Sequence, residues 1–175
     1  MNTKKLLIGI FVILLLGGAG YGWLGGFSNP EIKQITTSEI YVAGKEYKGS
    51  VKSDKFGELF LEAGKLVEEK KLAGNPGGIY YNDPEKHKDS INAFIGVVIS
   101  DPKMTLPAGY AVRTIPAGKK AVQGSINAHY LLAPNKLFPA IFNYAKNKNI
   151  LLQDFFVERY PDTRHAEAIV FEQEK

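Results

Sequence analysis

The sequence predicts an α+β fold in which two β-α-β-β units form one antiparallel sheet with two helices on one face, behind an N-terminal transmembrane helix. Three observations support this prediction. Residues 6–29 carry no charge, two similar short motifs lie 74 positions apart at Gly44 and Gly118, and each motif precedes a helical pattern and two strand-like runs. A chain of 175 residues has room for one domain with its own core in addition to a membrane segment.

The first predicted element is the apolar segment at residues 6–27. As a helix rising about 1.5 Å per residue, it is long enough to cross a hydrocarbon core of about 30 Å. A buried helix of a globular domain would carry a polar stripe, which this segment lacks. Lys4 and Lys5 favour a cytoplasmic N-terminus, and Tyr21 and Trp23 suit the far membrane interface. We therefore expect a single-pass signal anchor with an extracytoplasmic domain.

The chain accordingly divides into three parts. Residues 1–27 are the expected signal anchor, residues 28–36 a linker that Ser-Asn-Pro opens, and residues 37–175 the folded domain. The small residues at 17–20 also suit a cleaved signal peptide, after which the domain would be secreted or periplasmic. Both alternatives place the domain outside the cytoplasm.

Each predicted unit starts with Ala-Gly-Lys followed shortly by Gly-Ser, within residues 39–50 and 115–125. Apolar residues at spacings of three and four then predict a helix with one buried face. The first helix should end near Gly74, because glycine readily takes the left-handed cap conformation. The second should start at about residue 135, so that Pro139 falls in its first turn, and should end near residues 148–149.

Two strand-like runs follow each predicted helix, and turn residues join the members of each pair. Two such units need each other to cover their apolar faces, which favours one sheet with both helices on the same side. A pseudo-two-fold axis would leave a groove between the halves, and such grooves are common ligand sites. The four runs are residues 78–82, 92–99, 154–160 and 167–171.

The net charge of +4 looks basic, but its distribution argues against nucleic acid. Lys4 and Lys5 account for half of it, which leaves 20 Lys and Arg against 18 Asp and Glu in residues 31–175. The domain surface is therefore of mixed sign. We expect no nucleic-acid partner, and no protein partner is indicated.

The chain contains no cysteine, which excludes disulfides, thiolate metal sites and cysteine nucleophiles. Its histidines, His87, His129 and His165, lack the spacing of metal ligands. We therefore expect no metal and no cofactor. Carboxylate and aromatic side chains remain as the chemistry of the groove.

From about residue 35 to residue 173 the chain resembles the GyrI-like small-molecule-binding (effector-binding) domain family. The resemblance rests on Gly-Gly-Ile-Tyr-Tyr-Asn at 77–82, the segment 111–122, and Phe-Val-Glu-Arg-Tyr-Pro at 156–161. It implies a small-molecule ligand between the two repeats, and it implies that the strand glutamate Glu158 faces that ligand. Because membrane-anchored members with one N-terminal helix are known, the resemblance is compatible with the predicted anchor.

Strand alternation places Glu158 on one face with Phe156 and Tyr160. A carboxylate in aromatic company should have a raised pKa and attract a desolvated cation. The corresponding first-half position by sequence offset is Ile79, so the repeat itself does not require the carboxylate. A surface glutamate paired with a lysine is the alternative. The predicted ligand-binding residues are Glu158, Phe156, Tyr160, Tyr81 and Tyr110.

Three functions remain open from the sequence. The first is binding of a small apolar or cationic ligand in the groove, with Glu158 as counter-charge. The second is hydrolysis of reactive small molecules with Glu158 as general base, a reaction reported for some stand-alone members of the family. The third is a protein-interaction module whose groove is filled by side chains. We expect binding rather than catalysis.

Overall fold

The computed structural model describes residues 14–83 and 86–174, which form an α+β fold with one antiparallel sheet, as predicted. Residues 14–23 are helical (α1) and lead into a turn at residues 24–27. The elements that follow are β1 (Glu31–Thr36), β2 (Ile40–Ser50), α2 (Asp54–Glu68), β3 (Gly74–Tyr80), β4 (Ser90–Ile99), β5 (Ala111–Ile115), β6 (Lys120–Ile126), α3 (Ala133–Asn147), β7 (Leu152–Asp162) and β8 (His165–Glu172).

The strand order β1-β6-β8-β7-β3-β4-β2-β5 confirms the internal duplication. One half is β2-α2-β3-β4 and the other is β6-α3-β7-β8, and the halves meet where β3 pairs with β7. Each half has the predicted β-α-β-β order, and one additional strand precedes each of them along the chain, β1 and β5. These extra strands are exchanged, since β1 pairs with β6 of the second half and β5 pairs with β2 of the first.

Short connections force the sheet to curl. Residues 37–39 join β1, at one edge, to β2, six strand positions away. In a flat sheet that distance would be about 29 Å, at about 4.8 Å per strand. The four steps from Thr36 to Ile40 reach at most about 14 Å. The two edges therefore approach each other. The two connections that cross between them, residues 37–39 and 116–119, are hydrogen-bonded together, because Thr37 donates its N–H to Lys119 O and its carbonyl oxygen accepts the N–H of Gly118, both at 2.8 Å.

The curled sheet has an apolar core on each face. On the helix side, Leu137 and Ile141 of α3 and Phe56 of α2 pack into one cluster, so both helices cover the same face, as predicted. On the other side, Ile35 of β1 and Ile115 of β5 join a second cluster that the curl encloses. The members of this second cluster that are buried on β3, β4, β7 and β8 are Ile79, Phe94, Val98, Val157, Ile169 and Phe171.

Two expectations are wrong, one about the linker and one about the repeat. The expected linker at 28–36 contains β1, because residues 31–36 pair along β6, a partner about ninety positions away that local sequence does not reveal. Gly44 and Gly118 are not equivalent, since Gly44 lies inside β2 and Gly118 lies in the turn before β6 with φ +85°. The pattern of helix and strands, not the shared motif, identifies the duplication.

The helix ends differ from the predictions in two places. The turn after α2 is closed by Lys70, which takes the left-handed conformation with φ 56°, and Gly74 instead begins β3. Helix α3 starts earlier than expected because Pro134 occupies its first turn, which leaves Pro139 inside the helix. The end of α3 is as predicted, with Asn149 left-handed at φ 54°.

The predicted anchor lies partly outside the described residues, which begin at residue 14. Within 14–83 and 86–174, no helix combines the length and the apolarity needed to span a membrane. Helix α1 covers residues 14–23 of the predicted segment, and residues 1–13 are not described.

A substitution at Gly77 tests the close contact between β3 and β7, where the two halves meet. A Cβ atom at this position would lie 2.1 Å from the carbonyl oxygen of Glu158, so Gly77→Ala must push β3 and β7 apart. We expect the free energy of unfolding of the full chain to fall by about 3 kcal/mol in urea titrations. Gly57→Ala is the matched control, since no atom lies within 4 Å of that Cβ. The control should gain about 0.5–1 kcal/mol from helix propensity, and equal stability of the two variants would contradict the proposed packing.

Candidate functional site

Glu158 lies on β7 at the junction of the two halves, directly opposite Gly78 of β3. Its side chain points to the helix face and is buried, with 9% of the residue exposed. The predicted alternation is confirmed on this strand, because Phe156 and Tyr160 pack into the same helix-side cluster. The Tyr160 hydroxyl donates a hydrogen bond to Glu158 Oε2 at 3.1 Å.

Aromatic rings from both halves line this part of the groove. Tyr80 of β3 stacks on Phe156 of β7, with ring centroids 4.6 Å apart and planes 9° apart. Phe138 of α3 meets the Phe156 ring edge to face at 5.0 Å. Phe60 of α2 meets Tyr160 edge to face at 6.4 Å. The carboxylate therefore shares its site with rings from both central strands and both helices.

Burial raises the pKa of the Glu158 carboxyl from 4.5 to about 7. Hydrogen bonds from the hydroxyls of Tyr80 and Tyr160 act in the opposite direction, but desolvation outweighs them. Burial and then the charge of Glu158 raise the pKa of both tyrosines well above its usual range, so both remain hydrogen-bond donors. Among the described residues, no Lys, Arg or His side chain forms an ion pair with Glu158.

The structure does not bring Tyr81 and Tyr110 to Glu158. Tyr81 follows Tyr80 in the chain and therefore faces the second core, where its hydroxyl oxygen accepts a hydrogen bond from Arg113 Nη1 at 2.9 Å. Tyr110 lies beside the α2 side of the sheet, and Lys45 Nζ is 4.9 Å from the centre of its ring. Neither tyrosine lines the carboxylate site.

The ligand-binding residues predicted from the sequence do not include Tyr80, Phe60 or Phe138, whose rings the structure places near Glu158. Tyr80 pairs with Phe156 across the junction, and only the register between β3 and β7 reveals this. The same register shows that Ile79 is not the structural counterpart of Glu158, because Ile79 pairs with Val157 and faces the second core. Alternation within β3 was a usable signal, since it separates Tyr80 from Tyr81, but it did not show which of them faced the helices.

Two cavities described by the structure lie away from Glu158. One, of about 190 Å³, is lined by Glu46, Tyr81, Asn92, Ala93 and Arg113. The other, of about 430 Å³, is lined by Asn127, Asp162, Thr163, Arg164 and His165. Glu158 lines neither of these two cavities. Across the described residues, no group of three or more His, Asp or Glu side chains could hold a metal ion.

No protein-family model and no curated protein matches the chain. Solved structures do match it, including SAV2435 bound to tetraphenylphosphonium (TM-score 0.55, 12% identity, 82% of this chain and 94% of that one). The EcmrR C-terminal domain matches with TM-score 0.54 and 21% identity over 85% and 98% of the two chains. A hydrolase from Listeria innocua matches with TM-score 0.54 and 8% identity over 83% and 93%. The chain shares the fold of these proteins, which supports the GyrI-like fold that its sequence resembles.

The raised pKa of Glu158 predicts how stability depends on pH. Because the folded chain holds this proton more tightly than the unfolded chain, the stability that it contributes is fully present below about pH 4.5 and is lost as pH rises through about 7. The contribution of this one carboxyl is about 3 kcal/mol. The free energy of unfolding of Glu158→Gln, measured by urea titration from pH 4.5 to 8, should lack the decrease that Glu158 causes. The variant should therefore be more stable than the wild type at pH 8. If the free energy of unfolding depended on pH in the same way in the variant and in the wild type, this would contradict the burial of the carboxyl.

Proposed function

We propose that the domain binds a small apolar organic cation on the helix face between its two halves, with Glu158 as the counter-charge. The observation that carries this proposal is a carboxylate buried among aromatic rings without a cationic partner in the described chain. A buried charge that lacks a partner is costly. A bound cation would supply that partner and convert the cost into affinity.

The surroundings of Glu158 favour a particular kind of cation. A compact, strongly hydrated ion would lose its water on entering a site enclosed by rings such as Phe156 and Phe138. A cation whose charge is spread over an apolar body loses less hydration and gains contact with the ring faces. SAV2435, which shares the fold, has been solved with such a cation, tetraphenylphosphonium, and this supports the proposal.

The burial of Glu158 favours the protein-interaction module among the alternatives, but the presence of a carboxylate there argues against that role. A module that only packs side chains into its groove is better served by an apolar residue at position 158, since a buried carboxylate without a cationic partner destabilises the fold. The enclosing rings Phe60, Phe138 and Tyr160 are only half-buried. A ligand can therefore reach Glu158 by displacing side chains at the margin of the core.

Tetraphenylphosphonium binding by the full chain in detergent tests the proposal by isothermal titration calorimetry. We expect Glu158→Gln to weaken binding at least tenfold, because the amide cannot balance the positive charge. Glu68→Gln, at an exposed position on α2, is the matched control and should bind like the wild type. Affinity of the wild type should rise roughly tenfold from pH 6 to pH 8 as Glu158 ionises through its pKa of about 7. Equal affinity of the Glu158→Gln variant and the wild type would rule out this site.

A hydrolase is the second candidate, because the pKa of Glu158 suits a general base near neutral pH. The Tyr160 hydroxyl, 3.1 Å from the carboxylate, could serve as the proton donor. The base would take a proton from water as the water attacks the substrate, and the tyrosine would protonate the leaving oxygen. The similarity of fold to a hydrolase from Listeria innocua is compatible with this role.

Turnover separates the two candidates. If the domain is a hydrolase, an electrophilic probe such as a p-nitrophenyl ester should be consumed at a rate that rises with pH through about 7. Glu158→Gln should abolish that turnover and retain binding of the probe, whereas Tyr160→Phe should slow turnover. A binding protein shows no turnover above that of the Glu158→Gln variant at any pH.

We also propose that the N-terminal segment is a single-pass membrane anchor with its N-terminus in the cytoplasm and the domain outside. Support comes from the uncharged residues 6–27 and from Lys4 and Lys5 before them. A cleaved signal peptide remains the alternative, and it would release the same domain. An anchored domain would meet apolar cations where they accumulate, at a lipid surface.

A further inference from the structure

Helix α1 is joined to the domain by specific contacts rather than by a free tether. The carbonyl oxygen of Leu24 accepts the N–H of His129 at 2.9 Å. Lys136 of α3 donates from Nζ to the carbonyl oxygens of Gly26 and Ser28, each at 2.6 Å. These bonds fix residues 24–28 against both α3 and residues 127–132, which connect β6 to α3.

Gly25 shows that this attachment is built into the sequence. Its φ of +78° is a conformation that other residues rarely adopt. A Cβ atom at this position would also lie 2.5 Å from the carbonyl oxygen of Asn127 and 2.6 Å from Cα of Ala128. Only glycine therefore lets the turn reach the domain so closely.

A surface of large exposed side chains surrounds the attachment, and we call it the collar. Three segments meet there, because the Trp23 ring lies 5.4 Å from the Arg164 guanidinium and the N–H of Tyr130 bonds to the carbonyl oxygen of Thr163 at 3.3 Å. The backbone N–H of Arg164 bonds to Asp162 at 2.6 Å. The collar comprises Trp23 (66% exposed), Phe27 (73%), Tyr130 (48%), Leu131 (66%) and the exposed Arg164.

We propose that the collar rests on the interface of a phospholipid bilayer and holds the domain in a fixed orientation on the membrane. The inference depends on the proposed anchor. Three observations favour a bilayer as the occupant. The collar continues an apolar helix whose residues 14–16 are 57–68% exposed, and its tryptophan and tyrosine are the residue types that anchor proteins at lipid headgroups. Its arginine suits anionic headgroups.

The collar also connects the membrane surface to the ligand site. Helix α3 starts at Ala133, directly after Leu131 and Leu132, and carries Phe138 of the aromatic enclosure. Ala133 and Phe138 are separated by about 8 Å along the helix axis. A domain resting on the collar therefore holds the Glu158 groove close to the lipid, where apolar cations partition.

Single cysteines test the orientation, because the chain has none of its own. Leu131→Cys places a nitroxide label in the collar, before the start of α3, and Leu151→Cys is the matched control beyond its other end. The two ends of this 15-residue helix are about 22 Å apart. The two leucines are similarly exposed, at 66% and 71%. In full-length chain reconstituted into phosphatidylcholine–phosphatidylglycerol vesicles, we expect the label at 131 to be at least fivefold less accessible to an aqueous nickel chelate, and more accessible to oxygen, than the label at 151.

A second measurement distinguishes failure of the collar proposal from failure of the anchor proposal. Trp23 is the single tryptophan, so quenching of its fluorescence by brominated lipid reports whether the chain is embedded. Quenched Trp23 with equal accessibility at 131 and 151 would overturn the collar and keep the anchor. A chain that does not float with the vesicles would overturn both. Protection at 131 that follows protein concentration instead of lipid would assign the collar to a second copy of the chain and also overturn the proposal.

Gly25→Ala tests the attachment itself. The added methyl group collides with the backbone at Asn127 and should release the turn after α1. We expect the variant to remain with the vesicles, while nickel accessibility at 131 rises severalfold toward the value at 151. An unchanged accessibility at 131 would show that the contacts of the turn do not orient the domain.

Discussion

The architecture depends on two short connections, each of which joins an edge strand to the strand beside the opposite edge of the sheet. Residues 37–39 and 116–119 are too few to cross a flat sheet of eight strands, so the sheet has to curl until its edges meet. The curl encloses a second apolar core and leaves the other face to the two helices. Since β1 and β5 each complete the opposite half, neither half can form its full sheet without the other.

The candidate site follows from this arrangement. Curling and duplication place β3 against β7 at the centre, where Glu158 faces the two helices. The core that stabilises the junction is the same one that desolvates the carboxyl, and this is why its pKa rises to about 7. Burying the Glu158 carboxylate at the centre of the fold therefore destabilises the folded state, and a cationic ligand would offset that destabilisation. A site of this kind couples binding directly to stability.

The attachment of the N-terminal turn to α3 connects the surface of the domain to the candidate site. Gly25 and Lys136 bind the turn after α1 to the start of α3, the helix that also carries Phe138 over the site. One rigid element thus connects the proposed membrane surface with the proposed ligand groove. A freely jointed tether would leave that distance variable, whereas the observed contacts hold it constant.

The sequence by itself determined the α+β class, the duplicated unit, both helices and the alternation that groups Glu158 with Phe156 and Tyr160, because these depend on periodicity along the chain. It did not reveal β1 as a strand, the curl or the partnership of Tyr80 with Phe156, and it grouped Tyr81 and Tyr110 with Glu158, from which the structure separates them. Those features depend on pairing between distant segments, as in the register of β3 against β7. Local patterns specify which face a side chain takes relative to its neighbours, but only tertiary structure decides what that face meets.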